Sequence, residues 1–322
     1  MGMQRNPEEL FELGPAAPDI DAPDVSGAPM LHYLEGFIDA GNAGRLLAEH
    51  LLRNFPHETV AQFDVDRLID YRSRRPLMTY DNSQWEAYES PELALHLLRD
   101  AAERPFLLLT GPEPDHEWNL FTEAVLAISA RLKVGPAISF LGIPAGMPHT
   151  RPLGVIAHAT REELMTGYQR LPSRIQVPGS APALIELRFG EAGRDALGFA
   201  VQVPHYLAQA VYPPAALALL GSVTASTGLE LPDTELREAS ERTNEAIERQ
   251  VAESAEVAEL VHALEQQYDT ATQEAAENPV TGLLAEGETM PTADELAAQF
   301  ERFLAENQGR TDPPGSPGSP DH

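Results

Sequence analysis

The chain has 322 residues with 43% apolar side chains, so it is long enough to bury a full hydrophobic core. It carries 50 acidic against 22 basic side chains, and its formal charge of −28 repels nucleic-acid backbones and anionic lipid surfaces, so we expect neither as a partner. Cysteine is absent, which excludes disulfides, thiolate metal sites and cysteine nucleophiles.

The chain begins with a segment, residues 1–29, that is rich in Pro, Asp and Gly, and we expect it to lie extended over the surface. The segment has no basic-then-apolar signal pattern. No apolar run in the chain approaches the ~18 residues that a membrane span needs. The sequence therefore predicts a cytoplasmic protein with no membrane partner.

Residues 30–229 contain strands that alternate with helices. The predicted elements are a strand at 30–37, a helix at 42–55, a strand at 58–65, a hairpin at 92–111, a helix at 115–132, strands at 135–143 and 154–160, a helix at 161–171, strands at 183–189 and 196–203, and a helix at 213–229. Pro76, Asp81 and Asn82 mark a loop before the hairpin. The first half of 92–111 also fits a helix, but the short turn "AAER" before an apolar strand favours the hairpin. This alternation predicts an α/β fold, a three-layer sandwich with a mixed sheet.

From Glu230 onward the composition changes to 22 acidic against 5 basic side chains. Residues 232–268 are predicted to form one amphipathic helix, roughly 50 Å long at ~1.5 Å per residue. A seam spaced by four and three residues is typical of a coiled coil and consists of Ile247, Val251, Ser254, Ala258 and Val261. A shorter helix follows, in which Thr292 and Glu295 form a capping box.

These patterns divide the chain into four regions. They are an extended N-terminal segment at 1–29, an α/β domain at 30–229, a C-terminal acidic helical extension at 230–306 and a disordered tail at 307–322.

The stretch "GFIDAGNAGRLL" at 36–47 joins the first strand to the first helix, which is where phosphate-binding loops are often built. It fits no common nucleotide pattern, because Asn42 stands where a Walker loop needs Lys. We therefore predict a ligand-facing turn that is not a triphosphate site. Its candidate binding residues are Gly36, Asp39, Gly41, Asn42 and Gly44. The alternative is that Asp39 caps the helix and the glycines only allow the turn.

The segments "PHTRP" at 148–152 and "VPHY" at 203–206 each place a histidine directly after a proline at the end of an apolar strand. If these strands are parallel neighbours, their histidines meet Asp39 at one sheet edge, where they could do acid–base work or bind a carboxylate or phosphate. The candidates are His149, Arg151, His205 and Tyr206. The alternative is that the histidines bond local backbone groups.

The segment "GPEPDHEW" at 111–118 places several carboxylates before a helix, and Glu117 is the binding candidate among them. The helix dipole stabilises carboxylates at this position, so capping explains most of the cluster. The spacing is not that of a metal site, and no catalytic or phosphate-binding fingerprint is complete. We expect neither a metal nor a cofactor.

The chain resembles the proteasome assembly chaperone family, second type, in its bacterial branch, over roughly residues 30–305. The segments that carry this resemblance are "EGFIDAGNAG", "GPEPDHEW", "GIPAGMPHTRP" and "VPHYLAQAVYPPAA", with "LEQQYD" and "DELAAQFERFL" further on. The resemblance implies an α/β fold similar to nucleoside phosphorylases and related hydrolases. In eukaryotes and archaea, members of this family are non-catalytic chaperones that hold proteasome subunits, whereas the bacterial branch has no settled activity and is likened to ATP-dependent ligases.

Members that dock on the proteasome can end in a hydrophobic residue, Tyr and a final residue. This chain ends Pro320, Asp321, His322, so we do not expect docking through such a tail. We predict a non-enzymatic, chaperone-like homo-oligomer, with a trimer as one candidate size, that binds a protein partner. The rival prediction is a small-molecule enzyme, hydrolase, phosphorylase-like or ligase-like, that works at Asp39, His149 and His205.

Overall fold

The computed structural model describes residues 6–14, 25–36, 38–168 and 174–277, and ten strands and seven α-helices lie within them. The strands are β1 (Phe11–Leu13), β2 (Met30–Glu35), β3 (His57–Phe63), β4 (Met78–Asp81), β5 (Gln84–Tyr88), β6 (Ala94–Arg99), β7 (Pro105–Pro112), β8 (Ala137–Ala145), β9 (Val155–Ala159) and β10 (Ala196–Pro204). The helices are α1 (Ala43–Asn54), α2 (Val65–Leu68), α3 (Trp118–Arg131), α4 (Ala181–Glu191), α5 (Pro213–Thr227), α6 (Thr234–Ala252) and α7 (Ala255–Glu277).

Eight of the strands form one sheet in the order β1-β3-β6-β7-β2-β8-β10-β9. The four central strands β7, β2, β8 and β10 run parallel to one another, and every other pairing in the sheet is antiparallel, which confirms the predicted mixed sheet. The predicted hairpin is also confirmed, because β6 and β7 pair antiparallel with Ala94 opposite Thr110.

Helices flank both faces of the sheet. Along β2, Leu31 and Tyr33 point into the core beneath α1 and α5, whereas Met30 and Leu34 point into a second core beneath α3 and α4. This alternation is the period of two that a strand imposes on its side chains. Burying each large apolar side chain contributes about 1.5–3 kcal/mol, so both cores stabilise the fold.

The predicted strand at 183–189 is wrong, because these residues belong to α4. The hydroxyl of Ser180 accepts a hydrogen bond from the N–H of Ala183 at 3.3 Å and caps the helix, and a proline lies in its first turn. The buried face has the four-residue spacing of a helix and consists of Ala181, Ile185 and Phe189. The predicted helix at 161–171 is reduced to a 3₁₀ turn, Glu162–Met165, and residues 169–171 lie outside the described chain.

Parts of the N-terminal segment belong to the core, which corrects the expectation that this segment lies extended over the surface. Leu10 is fully buried, and β1 pairs antiparallel with β3, with Phe11 opposite Phe63. The apolar residues of the short run "LFEL" therefore outweigh the Pro- and Gly-rich composition around them.

The loop predicted around Pro76, Asp81 and Asn82 is wrong as well, because β4 and β5 form a hairpin here. Asn82 and Ser83 make its turn with positive φ values of 43° and 70°. All nine strand residues are exposed, so the inside–outside alternation that reveals a half-buried strand is absent from this stretch.

The single helix predicted at 232–268 is two helices, α6 and α7, which are interrupted at Glu253 and Ser254. The hydroxyl of Ser254 accepts a hydrogen bond from the N–H of Val257 at 3.4 Å, a local bond that favours starting a new helix over continuing the first. The predicted seam is therefore divided between two helices. The shorter helix with Thr292 and the tail at 307–322 lie outside the described residues.

Candidate functional site

The candidate residues follow three neighbouring parallel strands. β2 pairs with β8 and β8 pairs with β10, so the carboxyl ends of all three lie at one edge of the sheet. We call this edge the strand-end surface and define it as residues 38–45, 147–151 and 205–212.

The carboxylate of Asp39 accepts four hydrogen bonds from the protein itself. Oδ1 accepts from the backbone N–H groups of Gly44 and Gly142, both at 2.9 Å. Oδ2 accepts from the N–H of Arg45 at 3.0 Å and from the hydroxyl of Tyr33 at 3.1 Å. A carboxylate offers about four lone-pair positions, so this one is saturated. Asp39 satisfies the first turn of α1 and ties it to β2 and β8.

The glycines of the loop lie against protein groups. A Cβ on Gly44 would come within 2.6 Å of the Tyr33 ring, and one on Gly36 would come within 2.0 Å of the Glu113 carboxylate. Gly41 has a φ of 69°, a left-handed conformation that glycine adopts without strain. Close packing inside the protein therefore accounts for these glycines.

Asn42 joins the loop to the turn that follows β10. Its side-chain amide donates to the carbonyl of Ala210 at 3.3 Å, and the N–H of Gly41 donates to the carbonyl of Ala208 at 2.7 Å. The N–H of Tyr212 returns a bond to the carbonyl of Gly41 at 2.9 Å. The two segments of the strand-end surface are thus held together by backbone contacts.

His149 and Tyr206 meet directly. The backbone N–H of His149 donates to the Tyr206 hydroxyl at 2.8 Å, and the same oxygen lies 2.7 Å from His149 Nδ1. Burial lowers the pKa of His149 below its ordinary value, and the carboxylates of Glu248 and Glu265 offset only part of that effect. The His149 imidazole is therefore neutral and paired with the Tyr206 phenol.

Arg151 is engaged by the acidic helix α7. Its guanidinium bonds both oxygens of Asp269, at 2.8 and 2.7 Å, and one oxygen of Glu265 at 3.2 Å. The hydroxyl of Thr150 donates to the same Glu265 carboxylate at 2.6 Å. These carboxylates raise the pKa of Arg151, and α7 is fastened over the 148–151 loop.

The two remaining candidates behave differently. His205 has a buried Nδ1 without a hydrogen-bond partner within the described chain. Glu117 accepts a bond from Arg67 at 2.7 Å, and it follows the parallel strand β7 rather than β8 or β10. The carboxylate of its neighbour Glu113 accepts from the N–H of Ala181 at 2.6 Å, so it serves the start of α4 instead of α3.

The strand-end surface therefore brings some of the predicted residues together and not others. His149 bonds Tyr206, and Asn42 bonds the turn after β10. Within the described residues, Asp39 has no hydrogen bond or ion pair with His149, Arg151 or His205. The bonds of Asp39, Asn42, His149 and Arg151 hold loops and α7 in place.

A row of polar residues crosses the sheet beneath α4, and no sequence motif marks it. His32 lies opposite Ser139, Ser139 opposite Gly198, and Gly198 opposite His158. His158 Nδ1 is 2.7 Å from a carboxylate oxygen of Glu186. The one available signal is Gly198, since an isolated glycine in a buried strand indicates a close approach. Here the approaching group is the His158 ring, 2.1 Å from where a Cβ would stand.

His32 is the buried end of this row. Its side chain is 1% exposed, and neither ring nitrogen has a partner among the described residues. Burial, with a smaller contribution from His158, lowers the pKa of His32 to about 3. The ring is therefore neutral at physiological pH and has an unused donor and an unused acceptor.

No group of three or more His, Asp or Glu side chains among the described residues is arranged to hold a metal ion. No helix in this part of the chain is both long enough and apolar enough to span a membrane.

Comparison with solved structures finds close likeness along most of the chain. The Mycobacterium tuberculosis protein of unknown function Rv2714 is 44% identical, with a TM-score of 0.79 over 85% of this chain and 95% of that one. A protein of unknown function from Corynebacterium glutamicum ATCC 13032 is 35% identical, with a TM-score of 0.78 over 82% and 98%. The Mycobacterium tuberculosis proteasome-assembly chaperone homologue Rv2125 is 27% identical, with a TM-score of 0.66 over 72% and 99%.

A comparison with curated proteins finds no match. The model of the PAC2 family matches residues 33–251, which is more than half of the chain. This match confirms the resemblance carried by the four sequence segments. The chain belongs to the PAC2 family.

Proposed function

We propose that this chain is a non-enzymatic, chaperone-like homo-oligomer of the cytoplasm that binds a protein partner through the strand-end surface. The observation that carries the proposal is that the candidate polar groups of this surface, apart from His205, are bonded to other groups of the chain. Asp39 accepts four internal hydrogen bonds, and Arg151 is paired with α7. A small-molecule enzyme needs polar groups that are free to meet substrate.

Apolar side chains on the same surface support a protein partner. Ile38 is 42% exposed and Val211 is 53% exposed. Val211 lies between Ala210 and Tyr212, which bond the loop that begins just after Ile38. Apolar side chains within a polar rim are the usual composition of a protein interface. A trimer remains the candidate size of the oligomer.

One relative supports a class of partner. Rv2125, whose structure is described as that of a proteasome-assembly chaperone homologue, matches 72% of this chain. We therefore propose a proteasome subunit of the source organism as the partner. Because this chain carries a large negative charge, it favours a partner with a basic surface.

Binding of purified proteasome subunits to the immobilised full chain tests this proposal. Ile38→Asp and Val211→Asp should each weaken binding at least about tenfold, because a charge enters an apolar contact. Leu187→Asp is the matched control, since Leu187 is 56% exposed on α4, away from the strand ends. Unchanged affinity in both variants would exclude this surface, and no binding by any subunit would exclude the partner class.

A hydrolase is the second candidate function, and the row beneath α4 favours it. A Cβ on Gly198 would lie 2.6 Å from Ser139 Oγ and 2.5 Å from His158 Nε2. The two atoms are thus within about 5 Å of each other, a gap that one water molecule can bridge. Glu186 orients His158 as the acid does in a serine triad. Ser139 would attack the carbonyl carbon of an ester, and its proton would pass through His158 to the leaving alcohol. Water, deprotonated by His158, would then attack the acyl ester on Ser139, release the carboxylic acid and return the proton to the serine oxygen.

A fluorophosphonate probe tests this second candidate, because it labels only activated serines. Mass spectrometry should find the label on Ser139, and Ser139→Ala should remove it. Ser222→Ala is the control, since the Ser222 hydroxyl already donates to the carbonyl of Ala218 at 3.2 Å. Absence of label on Ser139 in the wild-type chain would exclude the hydrolase.

A further inference from the structure

The hairpin of β4 and β5 stands apart from the main sheet. It forms a two-stranded sheet of its own, and every residue of both strands is exposed. We call residues 77–89 the arm. Isolated two-stranded hairpins are only marginally stable in water, so an arm of this kind needs a surface to cover it.

The arm concentrates the exposed apolar side chains of the molecule. Of the ten large hydrophobic side chains that are exposed in the described chain, five lie on it, namely Leu77, Met78, Tyr80, Trp85 and Tyr88. Tyr80 and Trp85 are cross-strand partners with ring centroids 4.9 Å apart, so the aromatic centre is already ordered. Trp and Tyr are the side chains that most often dominate interface energies.

The exposed area is large enough for a stable contact. The five side chains are between 52% and 68% exposed. At about 200 Å² for each side chain of this size when fully exposed, they present roughly 600 Å², against about 800 Å² per partner in a standard interface. Polar neighbours on the arm supply the remaining area. A patch of this size is at the upper end of what monomers expose, about 300–600 Å², and patches of that size are often interaction sites.

The charge on the arm suits a second copy of this chain. Residues 71–90 contain three arginines and three acidic side chains and are neutral, whereas the whole chain carries −28. Arg72 and Arg75 are exposed at its base. By contrast, residues 234–273 carry ten acidic and three basic side chains, so another copy offers the opposite charge to these arginines.

We propose that the arm is an intersubunit contact that packs against a second copy of this chain, with Tyr80 and Trp85 at its centre and Arg72 and Arg75 facing acidic side chains of that copy. The inference rests on the homo-oligomer of the proposed function. A second copy is always present, so it covers the hairpin permanently, whereas a transient partner would leave it bare. The net charge disfavours membranes and nucleic acids as the cover.

Sedimentation velocity of the full chain at about 1–50 μM tests the proposal. The wild type should be an oligomer. Tyr80→Ser combined with Trp85→Ser should raise the dissociation constant at least about tenfold, and Arg72→Glu combined with Arg75→Glu should raise it as well. Ile175→Ser combined with Val177→Ser is the control, because these side chains are 53% and 69% exposed elsewhere and should leave assembly unchanged. Circular dichroism should show that all variants are folded.

The absence of cysteine allows a direct map of the contact. Ser83→Cys, at the turn of the arm, carries the only thiol, and a benzophenone attached to it should crosslink to a second copy. A monomeric wild type would overturn both the homo-oligomer and this inference. An oligomer that survives the Tyr80 and Trp85 substitutions would overturn only the arm. Binding of the wild-type arm to phosphatidylglycerol vesicles, lost in the same variant while assembly persists, would assign the arm to a membrane instead.

Discussion

The carboxylate of Asp39 accepts a hydrogen bond from the backbone N–H of Gly142, a residue 103 positions later in the chain. This bond joins the loop after β2 to the neighbouring strand β8. A Cβ on Gly142 would stand 2.0 Å from the carbonyl oxygen of Ala40, so the close approach requires glycine. One acidic side chain thus fixes both the start of α1 and the spacing of two strands.

Replacing the Asp39 carboxylate should lower the free energy of unfolding by more than the loss of a helix cap alone. Asp39→Asn keeps the shape but turns an amide N–H₂ towards two of the four donors, which leaves them unpaired. We expect the free energy of unfolding in urea to fall by about 2–3 kcal/mol, because each bond to a charged acceptor is worth about 1.5–3 kcal/mol. Asp81→Asn on the exposed arm is the control and should change it by less than about 0.5 kcal/mol. An equal effect of both variants would contradict the saturated role of Asp39.

The buried ring of His32 should make the fold sensitive to acid. Its pKa is about 3 in the folded chain and near 6.5 when unfolded, so the unfolded chain binds the extra proton between these values. Stability is therefore complete above pH 6.5 and falls as the pH drops towards 3, by up to about 2 kcal/mol between pH 6.5 and 5.

His32→Leu removes this titration together with two unpaired buried nitrogens. Urea unfolding at pH 7.5 and pH 5 should show a smaller loss of stability for the variant than for the wild type. His116→Leu, at an exposed position, should keep the wild-type pH dependence. The prediction fails if the two variants lose the same stability on acidification.

The ion pairs of Arg151 should decide how firmly α7 lies on the domain. Arg151→Gln removes the bonds to Asp269 and Glu265, and we expect amide hydrogen exchange in α7 to become at least about tenfold faster. Arg161→Gln is the matched control, because Arg161 makes a similar two-oxygen pair with Asp195 outside α7. Equal exchange in α7 for both variants would show that its apolar contacts alone hold the helix.

Adding one methyl group at Gly198, in the polar row beneath α4, should destabilise the fold. Gly198→Ala places a Cβ on the His158 ring and should lower the free energy of unfolding by about 1–3 kcal/mol. His158→Ala in the same chain should restore much of the loss, because it removes the clashing ring. Gly221→Ala is the control, since its Cβ would meet no atom within 4 Å. A double variant no more stable than Gly198→Ala would point to Ser139 as the obstacle.

The pattern of apolar residues is sufficient to predict a strand or helix where that element has one buried face. α3 follows its apolar spacing, whereas the β6–β7 hairpin is favoured over a helix only by the short turn between its strands. It failed at α4, where the run at 183–189 also fits a strand and the cap at Ser180 decides. It failed at the arm too, because a hairpin exposed on both faces has no burial pattern to detect.

The candidate site shows the same division between local and distant information. That Asp39 caps α1 could be proposed from residues a few positions away. Its bond to Gly142 depends on which strands are neighbours, and local spacing does not contain that information. The alignment of His32, Ser139 and His158 likewise depends on the register of four strands. A shift of one residue in any of them would turn a side chain to the other face.

The three-residue strand β1 has a consequence for the solubility of shortened forms of the chain. β1 occupies the outer edge of β3, and Gly14 fits there only because it lacks a Cβ, which would stand 2.3 Å from the carbonyl oxygen of Thr59. Without β1, the seven-residue strand β3 would present unpaired N–H and C=O groups to other molecules, and such bare edges seed aggregation. The short N-terminal strand thus protects the sheet against uncontrolled growth by strand addition.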